Sequence, residues 1–317
     1  MFLSAKKGSV AAGFLLFFVL LSNAYAEEKP IHVQVSALGG YDNNTGFNAN
    51  RKADGYTQEN LSLLYQRLLN KKAQLRLSYS ALNVQYFEVT DIDVLANDAT
   101  AGLNFLLGPE TVLETSYTFQ YLDFPYNNSI NSYSNEGRVG LRQRLGKRWI
   151  LKGGVAASAR DYESSKLREA QGTVSLDDER GDGRITVDGL ARFKWSPSVI
   201  LNLGGSYAWN DSNDAFHDYY DYDSYKIIPG ATWQIDKNWS SWLKLIYENR
   251  RYDSRPLMGA TNSFQRDHLY TATAGLFYKL NPGLSLGSIY TYRQKNSNEP
   301  TQRYSGATGT LGLYYSY

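Results

Sequence analysis

The chain has 317 residues, with 26 Tyr, 13 Phe, 6 Trp and 27 Gly but only 8 Pro and no Cys, and a formal charge of +2. Without cysteine it has neither a disulfide framework nor a thiolate metal site. Past residue 26 no window reaches the run of about 18 apolar residues that a membrane-spanning helix requires.

Residues 1–26 read as a secretory leader. Lys6 and Lys7 give the positive start, "VAAGFLLFFVLL" (10–21) the apolar stretch, and "AYA" ending at Ala26 the cleavage site. Losing the leader removes two lysines and no acid, which brings the formal charge to 0. No cysteine follows to carry a lipid anchor. The mature chain is expected to begin near Glu27, with residues 27–317 forming one large β-domain.

From there the chain repeats one plan: about 10–15 alternating residues, a tight turn, a second such segment, then a longer polar loop. "IHVQVSA" (31–37) sets Ile31, Val33, Val35 and Ala37 against His32, Gln34 and Ser36. "VLETSYTFQY" (112–121) sets Leu113, Tyr117, Phe119 and Tyr121 against Glu114, Ser116, Thr118 and Gln120. "RITVDGLARFKW" (184–195) sets Ile185, Val187, Ala191, Phe193 and Trp195 against Arg184, Thr186, Asp188, Arg192 and Lys194. A period of two argues strand, and no long 3.6-residue pattern argues helix. Pro229, inside "YKIIPGATW", lacks a ladder donor and predicts a bulge.

Tight turns fall at 70–73, 108–111, 146–148, 196–198, 236–238 and 281–283. Longer loops fall near 42–55, 88–97, 125–134, 163–182, 210–223, 253–266 and 295–302. Seven long loops alternating with six short turns imply about 14 strands, with both termini on the short-turn side. This asymmetry is that of an all-β, transmembrane, antiparallel up-and-down barrel with short periplasmic turns and long extracellular loops. A water-soluble sandwich would alternate too, but it accounts for neither the asymmetry nor the aromatics. Trp149, Trp195, Trp233 and Trp239 sit beside short turns, as an interfacial girdle requires. Tyr56, Tyr86, Tyr121, Tyr207, Trp209, Tyr225 and Tyr252 sit near long loops and are expected to form the second girdle.

The last residues, "GTLGLYYSY", put Leu311, Leu313, Tyr315 and Tyr317 on one face. Hydrocarbon tolerates no open sheet edge, so this strand is expected to pair with the first and close the ring.

If the apolar faces meet lipid, the opposite faces line a lumen. The expected solute path then carries Arg138, Arg142, Arg144, Lys152, Arg160, Arg184, Arg192 and Lys194, with Arg76, Lys226, Lys244, Arg250 and Arg293 from other strands. The acids on the same faces are Asp98, Glu114, Asp188 and Glu248. A basic wall in a low-dielectric tube concentrates anions. Ion pairs that brace the barrel are the competing reading of the same residues.

No catalytic residue, cofactor or metal site is expected. The mature chain holds His32, His217 and His268. Asp214 and Asp218 beside His217, or Asp267 before His268, could make a His/Asp pair at the outer rim, resembling omptin proteases in two residues. Ser212 stands alone as a lipase nucleophile. The acidic runs 91–98, 176–183 and 210–223 read as solvated loop faces, with Ca²⁺ binding that bridges to lipopolysaccharide phosphates as the alternative reading. No phosphate-binding glycine loop or nucleic-acid motif occurs, and nucleic acid is not an expected partner.

Residues 40–65, 219–227 ("YYDYDSYKI"), 248–256 ("ENRRYDSRP") and 269–300 resemble bacterial outer-membrane β-barrel porins found near exopolysaccharide genes. They are similar, more loosely, to the barrel domain of surface lipoprotein assembly modifiers. The resemblance implies an outer-membrane location and the passage or display of a surface molecule, and names no substrate. The first strand starts within a few residues of the cleavage site, so the modifiers' helical-repeat domain is not expected. The C-terminal strand ends on an aromatic, which resembles the signal read by barrel insertion machinery.

The expected function is a porin-like channel, passing anionic solutes or an acidic exopolysaccharide through a basic lumen. The alternatives are a scaffold for surface lipoproteins or complexes, and a rim hydrolase. Expected partners are outer-membrane lipid and lipopolysaccharide, the insertion machinery, and polysaccharide-export or other periplasmic proteins.

Overall fold

The computed structural model describes residues 30–47, 52–127, 130–168, 174–214, 216, 218–258 and 263–317. The expected leader lies outside them. Within them the chain is almost entirely strand: β1 (Ile31–Asp42), β2 (Asp54–Asn70), β3 (Ala73–Tyr86), β4 (Val94–Gly108), β5 (Thr111–Asp123), β6 (Ser132–Leu145) and β7 (Trp149–Arg168), then β8 (Val174–Ser196), β9 (Val199–Ser212), β10 (Tyr222–Gln234), β11 (Trp239–Pro256), β12 (Phe264–Lys279), β13 (Leu284–Ser297) and β14 (Tyr304–Ser316). Every strand pairs antiparallel with its sequence neighbours, and β14 pairs with β1, closing a 14-stranded barrel. The seam runs from Gln34 opposite Ser316 to Asp42 opposite Thr308. Val33 and Tyr317 extend it by exchanging backbone bonds of 3.0 and 2.9 Å. The C-terminal strand thus satisfies its own backbone and removes the last free edge.

The alternation sorts side chains as the sequence predicts. Large apolar groups on one face stay open, including Val139 at 55% exposure, Leu203 at 56% and Leu311 at 58%. So much uncovered apolar surface fits a protein whose outside is lipid. The opposite faces carry charged groups that reach each other across an intervening strand, as Arg138 on β6 reaches Asp188 on β8.

Two girdles bound the apolar band. On β11 the outward Trp239 and Tyr247 are eight residues apart, and on β12 so are Tyr278 and Tyr270. At about 3.3 Å per residue and a tilt of about 40°, that is ~20 Å along the barrel axis. Trp149 and Trp195 are exposed at the short-turn end, where Phe193 stacks on Trp149 at 4.5 Å. At the opposite end Tyr207 meets Trp209 edge-on at 4.6 Å.

Three expectations are corrected. Tyr56, Tyr86 and Tyr252 do not join the outer girdle. Their register places them on the lumen face, where Tyr56 and Tyr86 pack at 5.2 Å and Tyr252 faces Tyr222 at 5.5 Å. Nearness to a loop sets height along the barrel, whereas parity sets the face.

Pro229 makes no bulge. Ile228 and Pro229 drop out of the β10–β11 pairing, yet the register on either side is unchanged, and Pro229 still stands opposite Leu203 on β9. The missing N–H leaves a gap in one ladder and no inserted residue.

The long loop expected at 163–182 is mostly strand. β7 runs to Arg168 and β8 starts at Val174, with register shifts after Asp161 and Lys166. The 23 residues of β8 span ~75 Å along the strand, far more than an apolar band of about 25 Å needs. This hairpin therefore continues beyond the membrane.

Candidate functional site

Strand parity directs Arg138, Arg142 and Arg144 of β6, Lys152 and Arg160 of β7, and Arg184, Arg192 and Lys194 of β8 to the lumen face. Arg76, Lys226, Lys244, Arg250 and Arg293 face inward as well. Two further cations join them from segments read as loop in the sequence, Arg180 and Lys295. Inward acids missed for the same reason are Asp182 and Asp267, with Asp42 at the end of β1.

These groups divide into two sets. One set braces the wall. Arg138 grips Asp188 with both guanidinium nitrogens, the second at 2.7 Å. Glu114 lies between Arg142 at 3.0 Å and Lys152 at 3.3 Å. Glu248 accepts from Lys226 at 3.2 Å and Arg250 at 3.1 Å, and the fully buried Asp267 takes Lys295 at 2.9 Å. Each pair or triad ties strands that are neighbours or next-neighbours, so it resists shear of the cylinder.

The other set has no acid at ion-pair distance among the described residues. Arg160 donates to the Gln120 side chain at 3.3 Å, and Arg192 donates to Asn202 at 3.0 Å. Arg184 and Lys194 lie on the same lumen face of β8, and Arg76 on β3 and Lys244 on β11 likewise have no acid at ion-pair distance among the described residues. Four of these six, Arg160, Arg184, Arg192 and Lys194, lie on the adjacent strands β7 and β8. Those four run from the short-turn end at Lys194 to the long-loop side at Arg160, so most of the uncompensated charge forms one stripe.

The facing wall is of different character. β1, β2, β13 and β14 turn Gln34, Ser36, Asn60, Ser62, Thr291 and Thr308 inward, and Ser240 and Tyr314 help line a cavity of about 550 Å³ there. Gly275 and Gly287 leave room for large neighbours. Trp242 covers Gly275, while Phe277 and Tyr314 cover Gly287, and a Cβ at either glycine would collide with those rings.

At the long-loop end the stripe opens into a cavity of about 730 Å³. Arginines and tyrosines alternate around it. The Arg180 guanidinium lies 3.3 Å from the Tyr220 ring centre and 4.5 Å from that of Tyr162. Arg250 lies over Tyr222 at 4.5 Å, and Arg255 over Tyr219 at 4.0 Å. Arg180 also holds Asp182 through Nε at 2.9 Å and Arg250 holds Glu248, while Arg255 stacks with no acid at ion-pair distance among the described residues. The ring contacts also fasten Tyr219 and Tyr220, which belong to the β9–β10 connection, to the barrel wall. The sequence carried a sign of this site in Arg180, Asp182 and Arg184, which continue the inward parity of β8 into the segment read as loop.

The same connection holds a pH-responsive group. Burial first, then the charges of Asp211, Asp218 and Asp253, raise the Asp221 carboxyl from 3.8 to about 6, against a bond from the Ser212 N–H that lowers it. A carboxyl raised in the folded state favours the protonated form there. Its contribution is complete below about pH 4 and is lost as pH rises through 6. Amide exchange at residues 218–221, corrected for intrinsic rate, is expected to be slower at pH 5 than at pH 7.5, and Asp221→Asn is expected to abolish the difference.

The rim-hydrolase alternative finds little geometry. Asp267 points inward and His268 outward, because they are consecutive on one strand. His268 Nδ1 instead sits 2.9 Å from the Tyr247 hydroxyl. The Ser212 hydroxyl lies 3.4 Å from the Gly181 carbonyl oxygen, which accepts from it. His32 faces the lumen opposite Leu64 near the short-turn end, and His217 lies outside the described residues.

A closed ring with an apolar exterior between two aromatic girdles, and a wet, charged interior, defines a transmembrane β-barrel of the outer-membrane type. No family model matches the chain, and no curated protein matches its sequence. Solved structures agree on the fold. OmpT of Vibrio cholerae is 9% identical, with 93% of this chain and 100% of that chain aligned at a TM-score of 0.52. The outer-membrane channel DcaP of Acinetobacter baumannii is 13% identical over 90% and 96%, with a TM-score of 0.52. The monoaromatic hydrocarbon channel CymD is 10% identical over 92% and 89%, with a TM-score of 0.53.

Proposed function

We propose that the protein is an outer-membrane channel that passes anionic solutes, with acidic exopolysaccharide as the extended form of such a solute. The observation that carries this reading is the stripe formed by Arg160, Arg184, Arg192 and Lys194, which have no acid at ion-pair distance among the described residues. A cation whose charge is compensated contributes little field beyond its partner, whereas an uncompensated row on one wall lowers the energy of an anion along its length. The arginine–tyrosine mouth suits sugar carboxylates in particular. Guanidinium groups pair with carboxylates, and tyrosine faces accept the apolar faces of pyranose rings. The wall opposite offers serine, threonine and amide partners, with the charged Asp42, Arg293 and Lys295 gathered toward the long-loop end in ion pairs. The likeness to DcaP and CymD, both channels, supports a pore on the same fold.

Single-channel recording in a tenfold KCl gradient tests the reading. The reversal potential is expected on the chloride side of zero. A short oligogalacturonate added at the long-loop face is expected to block the current, where a neutral dextran of the same length does not. Cation preference, or a barrel that never conducts, would overturn the proposal.

A further inference from the structure

We propose that the outward faces of β11 and β12 carry a binding site for the phosphate groups of lipopolysaccharide in the outer leaflet. The inference stands on the lipid-facing surface and is independent of what passes through the lumen.

Arg251 and Arg266 stand directly opposite one another in the β11–β12 register. Both are exposed, and neither makes an ion pair at 4.0 Å or less with a described acid. Like charges directly opposite across two strands destabilise a sheet. A dianion held between them would reverse the sign of that term.

Their height fits such an anion. Arg251 lies four residues beyond Tyr247 and Arg266 four beyond Tyr270, the two outer-girdle tyrosines, whose rings pack at 5.2 Å. Four tilted residues are ~10 Å along the axis, which carries the guanidinium groups above the hydrocarbon to headgroup level.

The patch is also organised from beneath. Asn249, only 4% exposed, stands two residues below Arg251 and accepts from its Nε at 3.3 Å. The amide nitrogen of Asn249 lies 3.1 Å from His268 Nδ1. Arg251 is thereby oriented through Nε, and its terminal nitrogens are left for a ligand.

Several other outward positions of the rim are acidic. Asp123 on β5, Asp161 on β7, Asp211 on β9 and Asp223 on β10 occupy outward positions near that level. Asp223 stands opposite Arg251 in the β10–β11 register and makes no ion pair with it at 4.0 Å or less. A phosphate approaching from the outer leaflet is therefore repelled at those acidic positions and received at β11–β12.

Purified, folded barrel in mild detergent is to be titrated with three probes: lipopolysaccharide with phosphorylated lipid A, the same lipopolysaccharide after enzymatic dephosphorylation, and inorganic phosphate. Native mass spectrometry reads bound lipid, and the gel shift on heating reports folding. The wild type is expected to bind the phosphorylated form at least about tenfold more tightly than the dephosphorylated form, and R251A/R266A to lose that preference. Each arginine accounts for roughly a tenfold change, the size of one charge-assisted contact. If the double variant does not fold, Arg251→Gln and Arg266→Gln singly are each expected to lose about tenfold. Equal binding by wild type and variants overturns the site. So does equal binding of the two lipopolysaccharides, or inorganic phosphate bound as tightly as the lipid.

Discussion

The double variant Arg184→Glu/Arg192→Glu is expected to turn an anion-preferring pore into a cation-preferring one. A unit charge acts on an ion about 8 Å away with ~0.5 kcal/mol in a water-like dielectric. Arg→Glu changes two units, and it acts with opposite sign on potassium and chloride. The permeability ratio therefore moves by about 2 kcal/mol at each site, more than tenfold. Recording at about 0.1 M salt keeps the screening length near 10 Å, comparable with that distance. Neither arginine makes an ion pair among the described residues, so both substitutions leave the bracing pairs intact. Arg67→Glu is the control, since Arg67 faces outward near the short-turn end of β2. It makes the same two-unit change as each lumen substitution but none of it in the lumen, and is expected to leave the reversal potential where it was. An unchanged reversal potential in the folded double variant would remove the uncompensated stripe from the mechanism.

The choice of those two residues shows where sequence reading stops. Their faces were legible, because alternation of period two runs through 184–195, broken only at Gly189 and Leu190, and apolar residues mark the lipid side. The strand number and the closing role of "GTLGLYYSY" were legible for the same reason, together with the turn residues. Compensation was not legible. Arg138 and Asp188 are 50 residues apart and meet across β7 only because of the stagger at which the barrel closes. No local pattern separates Arg138, which is held, from Arg184, which is not.

The arginine–tyrosine mouth was hidden for a different reason. Once β7 and β8 leave the hydrocarbon they have no apolar face to keep, so the strand signal fades although the backbone pairing continues. Arg180 and Asp182 then look like loop. Tyr56, Tyr86 and Tyr252 misled in the reverse direction, since a tyrosine near a loop suits an interface and a wet lumen equally well.

Glu248→Ala is expected to produce the largest loss of stability of any single lumen substitution, about 3 kcal/mol, and to strengthen anion preference at the same time. The Glu248 side chain is 10% exposed and takes both Lys226 and Arg250. Removing it leaves two partly buried cations facing each other without an acid, and breaking a buried pair from one side costs about 3–5 kcal/mol. Lumen water offsets part of this, so the lower end applies. The urea midpoint in lipid vesicles should fall accordingly, with the denaturant slope unchanged. Glu248→Gln keeps an acceptor and is expected to recover part of the stability and none of the charge. The reversal potential should move toward chloride in both variants, because each adds an uncompensated cation to the mouth beside Arg180 and Arg255. That split, weaker barrel and stronger selectivity, separates the two jobs of the lumen charges. If Glu248 only filled space, alanine would lower stability and leave selectivity alone. If it belonged to the conducting surface and not to the brace, selectivity would change in a barrel as stable as the wild type.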